Sequence, residues 1–389
     1  MATFSRRTAH DSEPNVVARA LRERREAGKA VCDLTESNPT RTGLPYDETR
    51  LLGALADPRG LRYSPEAFGL ASARSAVQAL QRDTGFEIPL EHILLTSSTS
   101  EAYSFLFKLL CDPGNSIAIP RPSYPLFEHL ATLEGVRAES YALAYDGAWH
   151  IDFEHLNRVI SPETRAIVVV SPNNPTGSFL KRDELDRLTA FGLPIISDEV
   201  FSSYALGEDA RRVRSVLETD AVPVFALGGL SKLAALPQMK LAWTCFRGPA
   251  SWLAEAVPRL ELVADTFLSP GTPVQWALRE ILAARAPVER ALNARIRHNF
   301  GALLAALAGS AITPLFLEGG WYATLRLPSL WDEATWVLTL LNEDGVLTQP
   351  GWFYDFVDGP MLVLSLITSE PEFALGVARI AERVRLAVG

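Results

Sequence analysis

Six short apolar runs with helical patterns between them constrain this fold more than any other feature of the chain. They lie at residues 93–96, 116–119, 166–170, 194–197, 222–227 and 241–246; each is rich in Ile, Val, Leu or Phe, and most are bounded by Gly, Pro or Ser. A strand that is apolar at nearly every position is covered on both faces, and helices between such strands make the sheet mostly parallel. The pattern is that of an α/β protein. A chain of 389 residues exceeds one small core and suits a large domain plus a smaller one. The large domain is expected at 56–285. The smaller α+β domain joins 1–55 to 286–389, with helices at 334–343 and 372–388 and a strand at 361–366. The uncharged stretch 301–317 contains Pro314, which would break a spanning helix; it reads as a buried helix leading into a strand, with no membrane span.

A formal net charge of -9 disfavours nucleic acid as a partner, because such binders carry a basic surplus. The Arg-rich stretch 19–29 also holds Glu23 and Glu26 and reads as a mixed-charge helix face. Cys32, Cys111 and Cys245 are scattered and without CxxC spacing, so neither a disulfide framework nor a zinc site is expected. The N-terminal residues show no basic stretch followed by an apolar one, and a cytoplasmic setting is expected.

In parallel sheets ligands collect beyond the carboxyl ends of the strands, so the residues after each run are the informative ones. They are Ser97-Ser98-Thr99-Ser100, then Pro120-Arg121-Pro122-Ser123-Tyr124-Pro125, then Ser171-Pro172-Asn173-Asn174-Pro175-Thr176-Gly177, then Asp198-Glu199, then Gly228-Gly229-Leu230-Ser231-Lys232. Polar residues capable of chemistry gather at the same end of almost every strand, where a purely structural placement would scatter them.

Taken singly, each has a plain reading. Lys232, in a Gly/Ser turn past a buried strand, would be a good nucleophile if desolvated, but the four residues Gly229–Lys232 alone favour a surface lysine that closes a strand. Asp198 could hold a protonated ring nitrogen; alone, it reads as a helix cap or an ion-pair member. Ser98, Thr99 and Ser100 precede Ala102, Phe105, Leu106, Leu109 and Leu110 at helical spacing, which sets hydroxyls and free N–H groups where a phosphate binds or where ordinary capping occurs. Tyr124 could stack on a flat ring or pack in the core. Asn173–Gly177 is a tight turn by residue type.

In order, Tyr63…Gly69, Ser98-Thr99-Ser100, Pro122-Ser123-Tyr124-Pro125, Pro172-Asn173-Asn174-Pro175-Thr176-Gly177, Asp198-Glu199-Val200 and Ser231-Lys232 resemble the class I/II aminotransferases of pyridoxal-5′-phosphate fold type I over about residues 30 to 385. The resemblance implies a large domain with a mostly parallel mixed sheet covered by helices, a smaller α+β domain, pyridoxal 5′-phosphate as cofactor, and amino-group transfer between an amino acid and a 2-oxo acid. It implies Lys232 as Schiff-base lysine and general base, with Ser231 beside it. It implies Asp198 on the pyridine nitrogen, Asn174 on the ring hydroxyl, Tyr124 stacked on the ring, and Ser98, Thr99 and Ser100 on the phosphate. Tyr63 would reach the phosphate of a neighbouring subunit, which implies a homodimer with shared sites. No metal is needed.

Four positions depart from the family pattern. Lys240 stands where a phosphate-binding arginine is usual, and gives up the bidentate fork. Gly229 stands where a serine is frequent, and Phe201 replaces a tyrosine that bonds the ring hydroxyl. Val363 occupies the position of the arginine that binds the substrate carboxylate, and no arginine lies between Arg326 and Arg379. Arg41, in the loop Glu36-Ser37-Asn38-Pro39-Thr40-Arg41, is a candidate replacement with Asn38, and Trp321 a candidate wall for the substrate side chain; a solvated loop arginine and a core tryptophan are the competing readings. The Phe201 and Val363 departures keep a lyase, decarboxylase or oxidase on the same fold as an alternative. A non-catalytic regulator of that fold is a second alternative, disfavoured by the acidic chain and the intact set Lys232, Asp198 and Asn174.

Overall fold

A computed structural model gives the fold and describes residues 4–9, 13–268 and 270–389. After a short strand β1 (Cys32–Asp33) comes one eight-stranded sheet. Its strands are β2 (Ile93–Thr96), β3 (Ser116–Arg121), β4 (Arg137–Tyr145), β5 (Trp149–Ile151), β6 (Thr164–Val170), β7 (Ile195–Asp198), β8 (Val224–Gly229) and β9 (Ala242–Arg247). The spatial order is β2-β9-β8-β7-β6-β3-β4-β5. All six apolar runs therefore become strands. The last two strands on one side, β4 and β5, gave no apolar run: β4 is mostly half-buried and carries Arg137, Glu139 and Ser140, and β5, at the edge, is only three residues long. Strands β8, β7, β6, β3 and β4 are mutually parallel, whereas β9 runs antiparallel to both β8 and β2. Because β2 and β8 both oppose β9, β2 points the same way as the parallel set. The carboxyl ends of β2, β3, β6, β7 and β8 therefore share one edge.

Successive strand residues point to opposite faces, and both faces are dry. Ile167, Val169, Ile195, Val224 and Ala226 pack on one side with Leu185 and Leu278. Ala166, Val168, Ile196, Phe225 and Leu227 pack on the other with Leu106 and Leu260. This two-sided burial is what the unbroken apolar runs encode.

A second core surrounds an antiparallel sheet made of β10 (Thr313–Pro314), β11 (Tyr322–Arg326), β13 (Gln349–Pro350) and β14 (Met361–Ser365), with a separate strand β12 (Val346–Leu347) that pairs in parallel with β1. Helices Ala286–Leu307 and Glu370–Val388 pack on one another there. The N-terminal segment is stitched to this body closely: a Cβ on Gly376 would press into Leu34. Helix Glu48–Leu55, by contrast, contributes Leu51 to the core of the large sheet and lies against helix Thr272–Ala284, so the first 55 residues touch both bodies. The stretch 301–317 divides between helix Ala286–Leu307 and β10, and no helix among the described residues is long and apolar enough to cross a membrane.

Beyond β6 the chain makes the Asn173–Gly177 turn. Gly177 has φ +70°, and a Cβ there would run into the Leu317 side chain and the Gly319 carbonyl. Left-handed backbone and overpacking both penalise a side chain at this point. Gly177→Ala is expected to lower unfolding stability by about 2–4 kcal/mol, read as a shift in denaturant midpoint at unchanged slope.

Candidate active site

Lys232 lies in the single helical turn Leu230–Leu233 that follows β8. The strand reaches this turn through Gly228 and Gly229. A Cβ on Gly228 would collide with the Trp243 indole, and one on Gly229 would sit 3.1 Å from the Ala242 Cβ. That crowding is the local reason glycine occupies position 229. The backbone of Lys232 is pinned by the Tyr204 hydroxyl, which donates to its carbonyl at 2.7 Å. Its Nζ lies 4.8 Å from the Trp321 ring centre and 5.4 Å from that of Phe201. Burial against these rings pushes the amine down to about 8, while the Asp198 carboxylate pulls the other way.

Asp198 is the last residue of β7 and is buried. It accepts the Val200 N–H at 3.2 Å and the Tyr103 hydroxyl at a long 3.5 Å. Burial pushes its carboxyl up to about 6, against those donors and Lys232. Two adjacent asparagines in the turn after β6 have opposite fates. Asn173 is fully engaged: its Oδ1 accepts from Ser123, and its Nδ2 donates to the Pro122 carbonyl and to Thr176. Asn174 is also buried, yet its Oδ1 has no hydrogen-bond partner. A buried amide oxygen left open is costly and marks a place where a ligand donor fits.

Ser98 caps helix Thr99–Leu110, its Oγ accepting the Glu101 N–H at 3.1 Å, and the Glu101 carboxylate in turn accepts the Ser97 N–H. Ser98 is thus committed to capping. The Thr99 and Ser100 hydroxyls make no hydrogen bond to described residues, and the first N–H groups of the helix are open, as at any N-terminus. Tyr124 keeps 38% of its surface exposed and meets Phe127 edge-on at 6.0 Å, so its ring face remains available.

The other sequence candidates fall into two groups. Trp321 is fully buried yet lies beside the lysine amine, so it is a core residue and a site wall at once. Ser231 is half-buried next to Lys232, whereas Lys240 is exposed, in a left-handed turn with φ 49°. Tyr63 is 81% exposed. Arg41 ends the turn Pro39–Arg41, exposed and without a side-chain partner among the described residues, while the Asn38 Oδ1 is spent on Thr40. Val363 is buried in β14 opposite Thr324 and Gln349. Strand alternation gives it the same face as Tyr322, which meets Phe201 at 6.3 Å. Among the described residues, Trp321, Phe201, Tyr322 and Val363, placed beside the lysine, are aromatic, hydroxyl-bearing or apolar, and none of these four is an arginine. Tyr103 and Tyr322 are residues near the lysine or Asp198 that the sequence reading passed over, and Tyr204, near Phe201 but out of register with the family's tyrosine, reaches the Lys232 carbonyl instead.

An amine of lowered pKa, a buried carboxylate and an open amide at the carboxyl edge of an α/β sheet form a site for nucleophilic chemistry on a flat, polar ligand. Among the described residues no group of three or more His, Cys, Asp or Glu is placed to hold a metal ion. The family description "Aminotransferase class I and II" matches residues 32–359, so the chain belongs to that family of enzymes, and transamination is its reaction class. It is similar to human tyrosine aminotransferase, with 25% identity over 355 residues covering 87% of this chain and 78% of that protein. It is also similar to the S-alkyl-thiohydroximate lyase of Arabidopsis thaliana, with 26% identity over 66% of this chain and 58% of that protein. An alanine aminotransferase from Pyrococcus furiosus has the same fold, with a TM-score of 0.88 and 23% identity over 99% of this chain and all of the other. These neighbours give the chain the architecture of pyridoxal-phosphate fold type I.

Proposed function

We propose that this aminotransferase works through Lys232 on pyridoxal 5′-phosphate, with an amino acid and a 2-oxo acid as its substrates. The observation that carries the reading is the meeting of a Lys232 amine held near 8 with the buried Asp198 carboxylate. The residues fit the cofactor: the open Asn174 Oδ1 suits its ring hydroxyl, Asp198 its pyridine nitrogen, and Tyr124 one face of its ring. Thr99, Ser100 and the N–H groups of their helix would hold the phosphate, with Ser98 shaping that terminus and Ser231 and Lys240 contributing from the lysine's own segment. When bound, the cofactor supplies an aldehyde for amine capture and a conjugated ring as electron sink.

Lys232, displaced by the substrate amine, is the base that takes the proton from the substrate Cα. Tyr204 holds the lysine backbone in place, and Trp321 with Phe201 keeps water from the amine. Tyr103 orients the Asp198 carboxylate, whose negative charge keeps a proton on the ring nitrogen. With Val363 where a carboxylate-binding arginine is usual, Arg41 and Asn38 are proposed to hold the substrate carboxylate. The exposed Tyr63, beside Leu61, which is 93% exposed, supports a homodimer in which Tyr63 reaches the neighbouring phosphate. The division into 56–285 and 1–55 with 286–389, and a cytoplasmic setting, belong to the same proposal.

The test is the visible spectrum of the protein with pyridoxal phosphate across a panel of amino acids. A donor amino acid should bleach the band and a 2-oxo acid should restore it. In Arg41→Ala the donor KM should rise about tenfold or more, the usual worth of a charge-assisted hydrogen bond; an unchanged KM removes Arg41 from the site. Phe201, Val363 and the lyase relative favour a second reading, a lyase on the same fold. Release of ammonia without band recovery would establish that reading instead.

A further inference from the structure

We infer that a second ligand site lies between the two bodies at the far edge of the large sheet, and that it takes a small carboxylate with a flat apolar body. A cavity of about 310 Å³ opens there, lined from the sheet by Arg121 and Trp149, from the helix Phe153–Val159 by His155, and from the smaller body by Arg326, Phe356 and Met361. That volume is at the lower end for small-molecule pockets. None of Lys232, Asp198, Asn174, Thr99 or Trp321 lines it.

The lining is rich in donors. Arg326 is half-buried and makes no side-chain hydrogen bond or ion pair with any described residue; its guanidinium has only the Tyr145 ring, 5.9 Å away. A guanidinium offers five N–H donors and no acceptor, so one left facing a cavity calls for an anion. The Nδ1 of His155 accepts the Ala142 N–H at 3.1 Å. Its lone pair is thereby used, and the neutral ring must carry its proton on Nε2, a second donor. Arg121 pairs with Glu128 at 3.2 Å and Asp355 at 3.3 Å, so its charge is already answered although its buried Nε has no partner. Asp358 lines the cavity at an exposed position and forms no ion pair with Arg326. Leu143, Val357 and Met361 add apolar wall, and two aromatic rings join them: Trp149 meets Phe356 edge-on at 5.9 Å and is backed by Tyr145 at 5.0 Å. A planar guanidinium pairs with a carboxylate in bidentate fashion, and the rings suit a flat apolar body behind it.

In a larger cavity of about 830 Å³ beside Glu199 each guanidinium already has an acceptor or carboxylate beside it, although the buried Nε atoms of Arg212 and Arg285 make no hydrogen bond: Arg212 donates to the Gly207 carbonyl, Arg214 pairs with Glu218 and Arg285 lies by Glu289. The smaller site has a further consequence. A carboxylate there would join the segment around Phe356 to the sheet edge and press on Pro122, whose carbonyl holds Asn173 in the turn before Asn174.

The inference does not depend on the cofactor reading, and the probe is 3-phenylpropionate titrated into the full chain by calorimetry and tryptophan fluorescence. Saturable binding is expected, weakened about tenfold or more with 3-phenylpropionamide and in Arg326→Met, and partly recovered in Arg326→Lys. Transamination measured without the probe should be unchanged in Arg326→Met. Equal affinity of wild type and Arg326→Met, or equal affinity for the amide, would overturn the proposal, as would the absence of saturable binding below roughly 10 mM. Should Arg326→Met fail to fold, Met361→Trp fills the same cavity, and unweakened binding in that variant would also be fatal.

Discussion

Lys232→Ala is expected to abolish transamination, with kcat falling by about 10⁴-fold or more, while the protein remains folded. On the proposed function two roles leave with one side chain, the amine that would bond the cofactor and the base that would move the Cα proton. No neighbour is suited to replace it: Tyr103, Tyr204 and Tyr322 all have hydroxyls driven above the usual tyrosine value by burial, and on the proposed reading Asp198 is engaged by the cofactor's ring nitrogen. The effect on stability should run the other way. Burial costs the ammonium form, as its depressed pKa shows, so its removal leaves thermal stability unchanged or higher. Lys232→Arg should be as inactive as the alanine variant, since a guanidinium keeps the charge but cannot form the imine or accept the proton. Steady-state kinetics with borohydride trapping and mass analysis provides the check. A variant that keeps a tenth of the wild-type rate would remove Lys232 from its role.

Asp198→Asn should lower kcat by about 10²–10³-fold, the typical cost of deleting one preorganised electrostatic partner, with a much smaller effect on substrate KM. The amide has the shape of the carboxylate but no charge to hold a proton on the ring nitrogen. Stability of the cofactor-free protein again moves in the opposite direction. The folded-state pKa of Asp198 is raised to about 6 from an ordinary 3.8. A raised pKa means that the folded protein binds the proton more tightly. Its contribution is therefore fully present below about 3.8 and is lost as pH climbs through about 6. At neutral pH the ionised, buried carboxylate costs up to about 3 kcal/mol by linkage, and the amide relieves it. Asp198→Asn should unfold at higher denaturant than wild type at pH 7, and the two should converge toward pH 4. A lower midpoint at pH 7 would make Asp198 a structural residue instead.

The six central strands could be read from the chain because each buries both faces, so burial demands an apolar residue at nearly every position and the pattern survives without context. The strand Arg137–Tyr145, which meets the short edge strand β5 only at its last three residues, escaped because partial exposure permits Arg137, Glu139 and Ser140, and alternation over so mixed a segment is indistinct. The reversed direction of β9 was equally hidden: a strand's apolar content says it is buried, whereas its direction follows from how the connections run. The expected chemistry fell at the strand ends for the same reason the strands were legible, since polar residues directly after buried runs must lie at one edge of the sheet. Which of two adjacent asparagines is free was not legible. Asn173 and Asn174 are identical in type, and only folded geometry commits the first to Ser123, Pro122 and Thr176 and leaves the second open.

The sequence alone determined the sheet and the order of its polar loops, because these follow from local burial and chain order, and its motifs around Asn174, Asp198 and Lys232 carried the resemblance to the family. Tertiary structure alone decided the electrostatics and the second site. The Lys232 amine is lowered by rings from Phe201 and Trp321, which are 120 residues apart in the chain. Arg326 makes no ion pair with any described residue although Asp358 lines the same cavity, and only the folded arrangement decides that. Desolvation and unpaired charge are properties of what surrounds a group in space, and no stretch of sequence contains that information.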